Sequence, residues 1–254
     1  WTKIGNETFT PKREALERMR PDDLGAAQAL VAQSTVDAAV YFETEGAVWA
    51  FTPDGAQRPV TLGSDPRPMP GGLAYRDADG ALMALDGVSG AAMPAMPVEV
   101  GASDLAFSDD DSVMAYVREG KLLVRHRSGG ERVAPTEGMQ GVSDPSWGLG
   151  GRVLAFSAGA STSSGMDIYA YDASQNHVEP LVEDAGDDIE PVWSPISRRT
   201  LAYTKVVDDI GQLWVTRFSE TGEASSTQLT EYGGSGPQWL PDGSGLVYEA
   251  DGQI

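Results

Sequence analysis

Three tryptophans set the interval on which this chain is built. Trp147, Trp193 and Trp239 lie 46 residues apart, and each follows a proline by two positions (Pro145, Pro191, Pro237). Seven or eight residues after each Trp comes a short apolar run that ends in an aromatic: Leu154-Ala155-Phe156, Leu201-Ala202-Tyr203, Leu246-Val247-Tyr248. A degenerate copy has Phe107 in the Trp place, 40 residues before Trp147, with Met114-Ala115-Tyr116 after it. A fixed period of this length marks a repeat architecture, in which each unit buries its apolar faces only against its neighbours.

Within each period the apolar residues alternate, and turn residues arrive every eight to twelve positions, which predicts strands rather than helices. The first copy reads as three strands: 39–42, 47–51 and 59–62, punctuated by Glu45-Gly46 and Pro53-Asp54-Gly55. Leu73–Tyr75, Ala81–Leu85 and a return through Met93-Pro94 repeat the plan less clearly. The later copies predict four strands each: a short one opening on Pro-x-Trp, an apolar one, an alternating one and a polar one. Such a sheet cannot cover both of its faces alone, and radial stacking of several sheets does so while leaving only short edges. The predicted fold is therefore an all-β propeller of four-stranded antiparallel blades, six of them. The Trp and the Leu-Ala-Tyr residues should pack between blades.

Residues 1–35 stand apart from this pattern. Thr10 is a suitable N-cap and Pro11 a suitable first helical residue, so Pro11–Arg20 is predicted as a short helix stopped by Pro21. The expected organisation is a helical N-terminal extension or linker over 1–35 and the propeller over 36–254. The last copy halts after two strands, which would leave an open edge. Either the polypeptide continues beyond Ile254 or a strand near Val31–Thr35 helps to close the last blade.

Pro191-Val192-Trp193-Ser194-Pro195 with Leu201-Ala202-Tyr203, Gln212-Leu213-Trp214-Val215 and Gln228-Leu229-Thr230 resembles the WD40-like repeat of TolB-type propellers. Asp167-Ile168-Tyr169-Ala170-Tyr171-Asp172 and Trp239-Leu240-Pro241-Asp242-Gly243 match the same pattern. The resemblance spans roughly residues 36–254. Ser108-Asp109-Asp110 and Gly148-Leu149-Gly150 depart from it where the family has Ser-Pro-Asp. It implies a six-bladed propeller of the bacterial cell envelope, periplasmic or outer-membrane associated, that binds other envelope proteins near the mouth of its channel. Similar repeats also form the accessory propellers of prolyl oligopeptidase-like serine peptidases, whose chemistry resides in a separate hydrolase domain. That is the alternative reading.

Charge narrows the partners. Against 38 acidic residues stand 18 basic ones, a net charge of −20, so nucleic acid and anionic membrane surfaces, which require a basic footprint, are excluded as expected partners. A basic peptide or domain, a cationic ligand or a divalent metal such as calcium suits this surface. No cysteine is present, which removes disulfides and Cys-based zinc sites. No apolar run is long enough to cross a membrane as a helix.

No catalytic constellation stands out, and no cofactor is expected beyond a possible calcium ion. His126 and His177 belong to different repeats, and Ser157, Ser161, Ser163 and Ser164 lie in no Gly-x-Ser-x-Gly elbow. Asp109-Asp110-Asp111 and Asp77-Ala78-Asp79-Gly80 suit turns, where Asp side chains bond their own backbone. Glu183-Asp184-Ala185-Gly186-Asp187-Asp188-Ile189-Glu190 packs five carboxylates into eight residues and must be solvated or neutralised. One pattern crosses the repeats: Asp104, Asp144 and Glu190 each stand three positions before the aromatic anchor, with Gly236 in the last copy. Two readings are open. An acid here caps backbone N–H groups at the start of an inner strand, or successive blades place carboxylates around the channel mouth as a site for a basic partner or cation.

Overall fold

The computed structural model describes residues 2–3, 40–51, 56–86, 92–94, 101–160 and 165–250, and every regular element among them is a β-strand. The predicted helix over Pro11–Arg20 lies outside the described residues. The strands form six antiparallel sheets in two compact units, residues 11–100 and residues 1–10 with 101–254.

The smaller unit holds two sheets. β2 (Val40–Thr44), β3 (Ala47–Phe51) and β4 (Gln57–Leu62) form the first. β5 (Ser64–Met69), β6 (Gly72–Arg76), β7 (Leu82–Asp86) and β8 (Ala92–Pro94) form the second, in sequence order. Val48, Ala50 and Val60 of the first sheet meet Leu73, Tyr75 and Leu85 of the second in one buried cluster.

The larger unit repeats the plan. β9 (Ser103–Phe107), β10 (Val113–Arg118), β11 (Lys121–His126) and β12 (Glu131–Val133) make the third sheet. β13 (Gln140–Trp147), β14 (Val153–Gly159), β15 (Asp167–Asp172) and β16 (His177–Val182) make the fourth. β17 (Asp187–Trp193), β18 (Thr200–Val207), β19 (Ile210–Phe218) and β20 (Ala224–Gln228) make the fifth. The last has β21 (Ser235–Trp239) and β22 (Leu246–Glu249), with β1 (Thr2–Lys3) as its third strand. Thr2 pairs with Tyr248 and Lys3 with Val247. That edge is thus covered from the start of the chain; the segment near Val31–Thr35 lies outside the described residues.

The apolar alternation explains the stacking. Along β14, Leu154, Phe156 and Ala158 join Val113, Ala115, Val117, Leu122 and Val124 of the third sheet. Ala155 points the other way and joins Leu201 and Tyr203 of the fifth, with Trp193 and Trp214 packed alongside. A strand covered on both faces reads as a continuous apolar run, as Leu154-Ala155-Phe156 does. Each fully buried Leu or Phe contributes about 1.5–3 kcal/mol. Tyr116, Phe156 and Tyr203 have no exposed surface at all, so the periodic aromatics are seams between sheets.

Two readings of the strands need correction. The first strands of the last three copies end on Trp147, Trp193 and Trp239 instead of opening on Pro-x-Trp, and their prolines sit inside them. The strand β5 went unread because Ser64-Asp65-Pro66-Arg67-Pro68-Met69 carries two prolines. All of these are edge strands of their sheets, where a missing N–H disrupts no inner ladder.

Candidate partner-binding face

The acidic positions picked out by the period share one backbone geometry. In β13, Ser143 pairs with Ser157 and Ser146 with Ala155, so Asp144 and Pro145 together oppose Phe156. Glu190 and Pro191 likewise oppose Tyr203, and Asp104 and Leu105 oppose Tyr116. Gly236-Pro237 opposes Tyr248, and Asp65-Pro66 opposes Tyr75. Each is a β-bulge whose first residue is left-handed, with φ of 48° at Asp104, 52° at Asp144, 56° at Glu190, 59° at Gly236 and 51° at Asp65. Glycine is the usual occupant of such a bulge, and Asp is among the side chains that tolerate it best. Sequence reasoning missed Asp65; its acid–Pro pair, the same as Asp144-Pro145, was the available signal.

The bulge displaces a backbone N–H from the ladder, and the neighbouring sheet accepts it. Glu190 N–H donates to Ser157 Oγ at 3.1 Å, and Gly236 N–H donates to Glu190 Oε2 at 2.6 Å. Thr204 Oγ1 donates to the same Glu190 oxygen at 2.7 Å. In the smaller unit Asp65 N–H donates to Glu43 Oε2 at 3.0 Å. Ser103 and Ser143 donate to Asp104 and Asp144 at 3.0 and 2.7 Å. Glu190 therefore latches one sheet to the next.

The dense acidic run leads into the interior. Asp188 on β17 has no exposed surface, and neither carboxylate oxygen finds a hydrogen-bond partner. Its cross-strand neighbour Lys205 places Nζ 3.7 Å from Oδ1. Lys205 also pairs with Asp184 and lies 5.7 Å over the Trp214 ring. Burial, then the charges of Asp167 and Asp187, push the Asp188 carboxyl up to about 7. Burial likewise raises Asp167, helped by Glu183 and Asp187, and lowers Lys205. Asp187 accepts the Met166 N–H at 2.8 Å.

Several further aspartates lie at turns. Asp110 accepts Ser108 Oγ at 2.7 Å and Ser112 N–H at 3.0 Å, bonds to serine that hold its carboxyl down at about 2. Asp109 takes Gly150 N–H at 3.1 Å, and Asp111 pairs with Arg127. Asp77 accepts the N–H groups of Asp79 and Ala81. His126 and His177 are exposed and lie in different sheets. Ser157 is buried and accepts the Glu190 N–H; Ser161, Ser163 and Ser164 lie outside the described residues. Among the described residues no group of three or more His, Asp or Glu side chains is arranged to hold a metal ion. No helix among the described residues is long and apolar enough to cross a membrane.

No protein family and no curated protein matches the chain by sequence. Solved structures do match by shape. A TolB structure from Agrobacterium tumefaciens aligns with a TM-score of 0.65 at 18% identity, over 84% of this chain and 87% of that one. TolB from Acinetobacter baumannii aligns at 0.63 and 15% identity, over 79% of this chain and 53% of that one. An oligogalacturonate lyase in complex with manganese aligns at 0.57 and 15% identity, over 82% of this chain and 65% of that one. At such identities shape alone is shared. In fold, this chain is a TolB-like β-propeller.

Proposed function

We propose that this chain is a non-enzymatic protein-interaction scaffold of the bacterial cell envelope, presenting a propeller face to a basic protein partner. The observation that carries the reading is the recurrence of Asp104, Asp144 and Glu190 at one bulge position of three successive sheets, in a chain of net charge −20. Loops on a rigid framework suit recognition, and a field of one sign speeds encounter with a partner of the other. The likeness of its repeats to those of TolB supports a periplasmic or outer-membrane-associated location and a place in a larger assembly.

Cross-linking in native envelopes followed by mass spectrometry tests this. The wild-type chain should capture a basic protein or domain, and Asp104→Asn/Asp144→Asn/Glu190→Gln should capture much less of it. Equal capture by both, or an acidic partner, would overturn the reading. An enzymatic reading draws on the likeness to oligogalacturonate lyase with manganese; bound manganese or calcium in the purified protein would favour it. The peptidase-accessory reading requires a Gly-x-Ser-x-Gly elbow with later Asp and His in the same polypeptide.

A further inference from the structure

The hairpin between β18 and β19 turns in two residues. Val207 pairs with Ile210, and Asp208 and Asp209 between them have φ of 52° and 62°. Two successive left-handed residues define the turn for which Asn-Gly is the favoured pair. Two aspartates here place adjacent carboxylates at the tip in a conformation that Asp tolerates but Gly adopts at lower cost. The flanking side chains are apolar and open to solvent, Val207 at 49% and Ile210 at 55%.

A second loop is tied to this hairpin. Gly234 N–H donates to Gly211 O at 2.9 Å, and Gln212 Nε2 donates to Glu231 O at 3.3 Å. Thr230 Oγ1 donates to Gln212 Oε1 at 2.8 Å. These bonds hold the segment of Tyr232, 91% exposed, beside the tip end of the hairpin, with the exposed Glu231 next to it in sequence. Three exposed apolar side chains, Val207, Ile210 and Tyr232, thus stand among three exposed acids, Asp208, Asp209 and Glu231.

We infer that this platform docks a cationic amphipathic segment of a partner protein, its Lys or Arg residues meeting the carboxylates and its apolar face covering Tyr232, Ile210 and Val207. The inference rests on the scaffold reading and adds to the bulge acids a second point of contact at the hairpin tip. Charge complementarity selects the occupant: a second copy of this chain carries −20 and would bring like charge onto like. Tyrosine is among the side chains that most often anchor such contacts.

The test is titration of the purified chain with a synthetic peptide of Leu and Lys that presents one apolar and one cationic face; its Leu/Glu counterpart is the control. Amide shifts should concentrate at 205–212 and 230–234, and Tyr232→Ser/Ile210→Ser should weaken binding about tenfold or more. Asp208→Asn/Asp209→Gly should raise Tm, because the turn relaxes, and still weaken binding, which a purely structural role would not do. Glu179→Gln, an exposed acid on β16, should bind as wild type. No binding, equal binding of the Leu/Glu peptide, or undiminished binding by both hairpin double variants overturns the inference, as does self-association abolished by Tyr232→Ser. Loss confined to Asp104→Asn/Asp144→Asn/Glu190→Gln would overturn the platform and leave the scaffold reading standing. Failure of the scaffold reading itself would appear in the envelope cross-linking.

Discussion

The seam between the third and fourth sheets and the seam between the fourth and fifth are built on the same repeat, yet they are chemically different. The first is closed by the apolar Leu154, Phe156, Val117 and Leu122 with Tyr171. The second has an apolar half around Ile168, Leu201 and Tyr203. It also has a polar half in which Asp188 is fully buried beside Lys205, with Asp167 and Asp187 close enough to raise its carboxyl. Burying a charge without hydrogen bonds is unfavourable, and one cation at 3.7 Å offsets only part of that. The apolar seam serves stability, whereas the fully buried Asp188 costs the fifth sheet some of it.

The largest expected effect lies in the apolar seam. Phe156→Ala removes a ring with no exposed surface and should lower stability by about 3–5 kcal/mol, read as a drop in the urea midpoint. If the change is under about 1 kcal/mol, the seam is not a packed one.

The polar seam should respond to pH in the opposite sense from an ordinary surface carboxylate. The Asp188 carboxyl is raised from its ordinary value to about 7 in the folded chain, so between pH 4 and 7 the folded state binds more protons than the unfolded one. Its contribution to stability therefore falls as pH rises through that window, by about 2–4 kcal/mol in all. Asp188→Asn should flatten this part of the stability–pH curve and raise Tm at pH 7.5 with little gain at pH 4.5. An unaltered curve would place the charge elsewhere.

The smallest effect concerns the bulge that both seams share. Asp144→Val forces a β-branched side chain into a left-handed conformation and should lose about 1–2 kcal/mol, whereas Asp144→Gly should be close to neutral. Equal losses with Gly and Val, by chemical denaturation, would mean that the carboxylate and not the backbone matters most at this position.

Much of the fold was legible because its signals are local. Pro-x-Trp, the Leu-Ala-Tyr runs and the Gly-bearing turns lie within a few residues of one another, and alternation along a strand reports directly which faces are covered. The strand Ser64–Met69 was illegible because prolines outweigh pattern unless the strand is known to be an edge. The candidate site was legible in part. The recurrence of Asp104, Asp144 and Glu190 could be seen, but not that they occupy left-handed bulges, since φ depends on pairing with the opposing strand. Asp65 escaped for the same reason as its strand.

By itself the sequence determined the repeat, the antiparallel meander, the aromatic seams and a strongly acidic net charge, all consequences of spacing and composition. Only the tertiary structure decided that Asp188 is buried against Lys205, that Glu190 receives an N–H from Gly236, and that Tyr232 stands beside a hairpin formed 22 residues earlier. Those pairings join residues of different strands and sheets, and neither burial nor hydrogen bonding is defined until the neighbouring strand or sheet is in place.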